Sequence, residues 1–273
     1  MHSPPPLTDR PALQRNRRRF TAPFLHQAVA DEIQERLTEV NRTFTRAAIV
    51  TGMPDFWANC MPKAVIVPDD DVLGLTIGAH DLVIHVLCLQ WANDPVGQLV
   101  QCRRALAPDG LLICVLFGGQ TLGELRAALA EAEAQVTGGL SPRVAPMGEI
   151  RDLGGLLQRA GLALPVADAT PITATYPHLT ALMHDLRAMG EGNALAGRLR
   201  KPTRRAVFDR AAQIYANAFG QTDGRIPATF DIVTLTGWAP APDQPKPLRP
   251  GSATHHLAEV LGAQDRPKSR GGD

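Results

Sequence analysis

Apolar positions in this chain change their period along its length. Between residues 22 and 40, Phe24, Leu25, Val29, Ile33 and Leu37 recur every three to four positions, the spacing of one helix face. Four short apolar runs follow, at 47–51, 64–67, 82–89 and 111–116. They are too short for ordinary helices, and their continuous apolar character predicts strands buried on both faces. Between the last two, Val96, Leu99, Val100 and Leu106 return to helical spacing, closed by Pro108-Asp109-Gly110. This strand, helix, turn, strand order predicts a βαβ unit with parallel strands.

Beyond Phe117-Gly118-Gly119, a helix is predicted from about Thr121 through Leu122, Leu125, Leu129 and Ala132. A second, at 150–160, stops at Gly161, the usual C-terminal glycine, and a strand follows at 162–166. Helices at 179–189 and 202–219 precede a last strand within 229–238. The order predicts an α/β fold, a doubly wound sheet with a helical insert before its last strand. Its parts are a basic arm and helix at 1–45, a core at 46–176, a cap insert at 177–226, and a last strand with a returning segment at 227–258. Prolines 240, 242, 245, 247 and 250 crowd the C-terminal part, and residues 259–273 are expected to lack fixed structure.

Charge narrows the picture little. Lys+Arg 28 against Asp+Glu 27 leaves a net charge of +1, so no global field argues for nucleic acid or an anionic membrane. The local exception, Arg15, Arg17, Arg18 and Arg19, reads as a solvated helix face or flexible arm, with partner binding as the alternative. Cys60, Cys88, Cys102 and Cys114 form no CxxC pair and read as reduced, mostly buried thiols. His80, His85, His178 and His184 share no metal spacing, so no metal is expected. No apolar run approaches the roughly 18 residues of a membrane span. Ser3-Pro4-Pro5-Pro6 lacks the apolar core of a signal peptide, and the expected location is the cytoplasm.

Candidate chemistry centres on the first strand, which runs into Gly52-Met53-Pro54-Asp55-Phe56. In nucleotide-binding α/β domains this turn usually carries several glycines, which let backbone N–H groups approach the ligand. Only Gly52 is present, and Pro54 removes a donor where the turn should be most permissive.

A chain-long set of motifs goes further. It comprises Leu89-Gln90-Trp91-Ala92-Asn93-Asp94, Leu106-Ala107-Pro108-Asp109-Gly110, Phe117-Gly118-Gly119 through Arg126, and Gly138-Gly139-Leu140-Ser141-Pro142-Arg143. Asp152-Leu153-Gly154, Arg159-Ala160-Gly161, Tyr176, Leu182 to Glu191 and Gly251-Ser252-Ala253 continue it. Together, from Asp9-Arg10 to about Leu257, these resemble the class I S-adenosylmethionine (SAM) methyltransferase-like family of the mitochondrial complex I assembly factor 5, a protein arginine hydroxylase. The malonyl-carrier-protein methyltransferases are similar in the core but lack the Phe-Gly-Gly and Gly-Gly-x-Ser-Pro pair.

The resemblance implies a Rossmann-like sheet with a helical cap over a SAM cleft, and action on a protein arginine, with methyl transfer implied by fold alone. It also implies a complex I peripheral-arm subunit as partner. Cofactor-binding positions would be Thr51, Gly52, Asp69, Asp70, Leu87 and Trp91; substrate or cap positions would be Asn93, Asp94, Phe117, Gly118, Gly119, Tyr176, Asp185 and Asn193. No catalytic residue is assigned.

Several positions depart from the family. Aligned on Gly52, the motif's acidic residue becomes Val50 and its later glycines become Pro54 and Phe56. Only 29 positions separate Gly52 from Asp81, which predicts a shortened second strand-helix unit. Val67-Pro68-Asp69-Asp70-Asp71 then has three readings: an adenine-side segment, the end of a rebuilt second strand offering Asp69 or Asp70 to the ribose hydroxyls, or an acidic surface turn. Gln90 stands where relatives often have His, and an amide cannot take a proton. Plainer roles also exist: helix caps for Asn93 and Asp94, a turn for Gly118-Gly119, the helix dipole for Glu124, and cap packing for Tyr176, Asp185 and Asn193. The alternative for Asp185 is pairing with a guanidinium. Two functions therefore compete, a SAM-binding enzyme modifying a protein side chain and a non-catalytic assembly factor, with small-molecule or carrier-protein methylation behind them.

Overall fold

The computed structural model describes residues 5–244, and the fold lies within its first unit, which ends at Pro240. Helices α1 (Arg10–Arg17) and α2 (Phe24–Glu39) lead into β1 (Ala47–Thr51), α3 (Pro54–Cys60), β2 (Val65–Pro68) and β3 (His80–Val86). After a 3-10 turn at Leu89–Trp91 come α4 (Pro95–Ala105), β4 (Leu106–Gly118), α5 (Gly123–Thr137), α6 (Ile150–Arg159) and β5 (Ala163–Tyr176). The cap helices α7 (Leu179–Ala188) and α8 (Arg205–Phe219) precede β6 (Ile226–Trp238).

The six strands form one sheet in the order β2-β1-β3-β4-β6-β5. The first four are parallel, while β6 runs antiparallel to both neighbours. Successive side chains of a strand point to opposite faces. Ile49, Ile84 and Ile113 accordingly meet Leu25, Val29 and Ile33 of α2, whereas Val50, Val83 and Leu112 meet Leu99 of α4 and Leu157 of α6. Cover on both faces explains the unbroken apolar runs, since each buried aliphatic side chain contributes about 1.5–3 kcal/mol.

Three elements differ from expectation. The N-terminal arm is a helix: the Asp9 carboxylate accepts the Ala12 N–H as an N-cap, and Ala12 and Leu13 are buried. Pro54 starts α3 rather than disrupting the turn, because a missing N–H costs nothing in a helix's first turn. β5 extends to Tyr176, well past the expected 166. Its polar, largely unburied positions and Pro171 hid it, as suits an edge strand.

The shortened unit is present as expected: β2 has four residues and lies directly beside β1, at the sheet edge among the described residues. The insert of α7 and α8 lies between β5 and β6. Among the described residues, no helix is long and apolar enough to cross a membrane. The expected disordered tail at 259–273 lies outside the described residues.

Candidate functional site

From β1 the chain passes to β2 on one side of the sheet and to β3 on the other. Such a switch point opens a crevice at the carboxyl ends of the strands, where α/β folds bind ligands. Register pairs Thr51 with Pro68, so Gly52 and Asp69 leave the sheet as neighbours. A cavity of about 660 Å³ lies here, and its lining includes Thr51, Gly52, Phe56, Asp69 and Asp70 together with Arg10 and Arg17 of α1.

The α1 arginines reach into it. Arg17 Nη1 donates to Asp69 Oδ1 at 2.6 Å, and Arg10 Nη1 donates to Asp69 Oδ2 at 3.1 Å. Arg10 Nη2 donates to the Asp69 carbonyl oxygen at 2.6 Å and lies 3.4 Å from Asp70 Oδ1. The Arg17 and Asp69 side chains are only 8% and 4% exposed. Burial pushes the Asp69 carboxyl up, but the two guanidiniums outweigh it and hold the group below the usual carboxylate range. Burial likewise disfavours charged Arg17, and Asp69 more than restores it. A Cβ on Gly52 would lie 2.2 Å from Arg17 Cζ, so the guanidinium lies against the bare face of that glycine. Arg17 Nε and Nη2 are buried without a hydrogen-bond partner.

Helix α1 is held there by the cap. Asp9 N–H donates to Ala194 O and Ala196 N–H donates to Leu7 O, both at 2.8 Å. Asn16 Nδ2 donates to Gly192 O at 2.8 Å. The Asp9 carboxylate pairs with Arg198 and Arg200, each at 2.9 Å.

A SAM nucleoside requires a carboxylate free to accept the ribose hydroxyls and an open glycine face. Here both Asp69 oxygens are taken, Arg17 covers Gly52, and Pro54 and Phe56 replace the further glycines. With α1 seated, the residues present do not fit that cofactor. The position of β2 beside β1 also decides how 67–71 is read: Asp69 closes a rebuilt second strand. It is buried, contrary to a surface turn. Arg17 likewise leaves the solvated face expected of the basic cluster.

A second cavity, of about 250 Å³, lies under the cap, with Asn16 of α1 in its wall. Phe117, Leu125, Leu129, Phe208 and Phe230 make its apolar side, and Gln90, Trp91, Glu191 and Asn193 contribute polar groups. Trp91 Nε1 donates to Glu191 Oε2 at 2.8 Å. Burial pushes the Glu191 carboxyl up to about 7, against the opposing pull of Trp91 and Arg17. Gln90 donates to Leu87 O at 3.1 Å, while its Oε1 is buried without a partner. Arg143, also in the wall, is engaged by Glu133 at 2.7 and 2.9 Å.

The expected site residues thus separate. Thr51, Gly52, Asp69 and Asp70 share the crevice; Trp91, Phe117 and Asn193 line the cap cavity. Leu87 follows β3 with φ 46, its N–H bonded to Val115 O at 2.7 Å. Asn93 Oδ1 accepts the Thr8 N–H, and Asp94 caps α4 through Gly97 N–H. Gly118 and Gly119 meet packing demands: a Cβ would lie 2.6 Å from Val233 Cγ2 at the first, and φ is +51 at the second. Tyr176 Oη donates to Asp185 Oδ2 at 2.7 Å, so the last residue of β5 and a residue of cap helix α7 satisfy each other. Asn193 Nδ2 donates to Pro142 O at 2.9 Å, and Glu124 accepts from Thr229 Oγ1 at 2.5 Å. Arg10 and Glu191 carried no expected role, and Arg17 only that of a member of the basic cluster. Arg10 and Glu191 fall within the quoted motifs, but no linear spacing links either to its partner.

No family model matches the chain. It is 35% identical over 234 residues to the mitochondrial arginine-hydroxylase NDUFAF5 of Danio rerio, covering 85% of this chain and 70% of that protein. To the NDUFAF5 arginine-hydroxylase of Dictyostelium discoideum it is 41% identical over 195 residues, covering 71% of this chain and 44% of that one. The chain therefore spans from under half to about two thirds of the length of these relatives. Among solved structures, a methyltransferase-type protein of Bacillus halodurans superposes with a TM-score of 0.50 at 11% identity, covering 76% of this chain and 98% of that one. That likeness supports the fold alone. The chain belongs to the NDUFAF5 arginine-hydroxylase family, a methyltransferase-fold family, and resembles the complex I assembly factor.

Proposed function

We propose that this chain receives an arginine side chain of a protein partner in the cavity under its cap, and that the partner is a peripheral-arm subunit of respiratory complex I. The observation that carries this reading is the Glu191 carboxyl, held by the Trp91 indole beside aromatic and aliphatic walls. A peptidyl arginine needs both parts: apolar surface for its methylene stem and a carboxylate for its planar fork of donors. An arriving guanidinium favours the ionised form of Glu191, whose resting pKa is about 7. Of the two arginines in the cavity wall, Arg143 and Arg187, the first is already paired with Glu133. SAM is the cofactor associated with this fold, and the seated α1 leaves it no fitting pocket.

Titration calorimetry with a blocked arginine peptide tests the reading. Binding should exceed that of the norleucine analogue at least tenfold and weaken on Glu191→Gln. Equal heats for the two peptides would sink it. The engagement of Asp69 by Arg10 and Arg17 favours a second reading, a non-catalytic assembly factor. Its test is co-purification: association with the complex I subunit in the absence of any cofactor would support it, and failure to co-purify removes it.

A further inference from the structure

In this family's fold the crevice beyond β1 and β2 is where a nucleoside belongs, yet here it already holds part of the chain. Three observations define that occupancy. Both oxygens of Asp69 accept hydrogen bonds from arginines of α1. The Arg17 guanidinium lies where any Cβ of residue 52 would stand. Two of its donors, Nε and Nη2, are buried without a partner, so the crevice satisfies it incompletely.

The chemistry of the contact resembles that of the absent ligand. A ribose diol and a pair of guanidinium N–H groups both present donors to one carboxylate, so they compete for Asp69. The attachment of α1 is lopsided in a way that permits exchange. Its flanking backbone bonds run to the cap, at Ala188, Ala194 and Ala196, whereas its hold on the crevice is through the Arg10 and Arg17 side chains. The same helix also places Asn16 in the wall of the cap cavity, so its displacement would alter both pockets.

We propose that α1 is the resident occupant of the nucleoside pocket, and that a nucleoside with free 2′ and 3′ hydroxyls binds only by displacing Arg17 from Asp69 and Gly52. The inference is independent of the arginine-peptide reading: that one fails in the peptide titration, this one in the experiment below.

S-adenosylhomocysteine is the probe, titrated into the full chain as wild type, Arg17→Met, and Arg17→Met with Asp69→Asn. Circular dichroism melts check that each variant folds. The expected order is weak binding to wild type, at least tenfold tighter binding to Arg17→Met, and loss of that gain in the double variant. Wild-type binding equal to or tighter than that of Arg17→Met makes Arg17 a ligand contact and overturns the proposal, as does no binding by either. Hydrogen exchange on the wild type is the check that needs no variant. Amides of residues 12–17 should lose protection at saturating probe, and unchanged protection in the bound state overturns the exchange.

Discussion

The indole N–H of Trp91 donates to the Glu191 carboxyl across 2.8 Å, joining the turn after β3 to the segment that follows α7. The acid is half-buried in the wall of an apolar cavity, and desolvation raises it to about 7 from an ordinary 4.5. A raised acid favours the protonated native state, so its contribution is full below about pH 4.5 and is lost as pH rises through about 7. Glu191→Gln keeps an acceptor for Trp91 and removes the ionisation. It should therefore be nearly neutral at pH 5 and stabilising at pH 8, by on the order of 1–3 kcal/mol. Thermal melts at the two pH values check this, and a pH-independent difference refutes it.

Asp69 works with the opposite sign. Its depressed acid contributes stability above its ordinary value of 3.8 and loses it as pH falls through the depressed one. Removing Arg17 leaves the buried Asp69 paired with Arg10 alone, so Arg17→Ala should cost about 2 kcal/mol at pH 7, the value of a hydrogen bond to a charged group. Adding Asp69→Ala should cost less than the sum of the single changes, with a coupling of about 1–3 kcal/mol. Denaturant unfolding of the four proteins in the cycle measures it, and strict additivity contradicts the pairing.

Gly52→Ala tests the close approach of α1. The new methyl would collide with a guanidinium fixed by its ion pair, and the expected loss is about 1–2 kcal/mol. In an Arg17→Ala background the collision partner is gone and the penalty should largely vanish. An equal cost in both backgrounds, read by urea midpoints, would assign the glycine to backbone conformation instead.

Tyr176→Phe isolates the cap. It removes one hydrogen bond, to Asp185, and should cost about 1 kcal/mol. Binding of S-adenosylhomocysteine to Arg17→Met should be unaffected by adding this change. A shared loss of stability and nucleoside affinity would mean that the cap couples to the crevice.

Much of the architecture is written in local pattern. A strand covered on both faces needs an apolar side chain at nearly every position, so β1 is legible at its observed bounds, Ala47–Thr51. Spacing of three to four residues gives α2, and Gly161 follows the end of α6. The edge strand β5 is legible only at its start, because Asp168, Thr170, Thr173 and Thr175 interrupt the apolar run beyond Val166.

An α/β sheet with a helical insert, a single glycine after the first strand and a shortened second unit all follow from local patterns in the chain. That β2 lies beside β1, that Asp69 is buried and that Arg17 reaches it emerge only from the packed fold. So does the meeting of Glu191 with Trp91. The physical reason is separation: these partners lie 52 and 100 positions apart. Helix and strand patterns repeat over two to four residues, whereas a contact across chain folds depends on where whole elements pack.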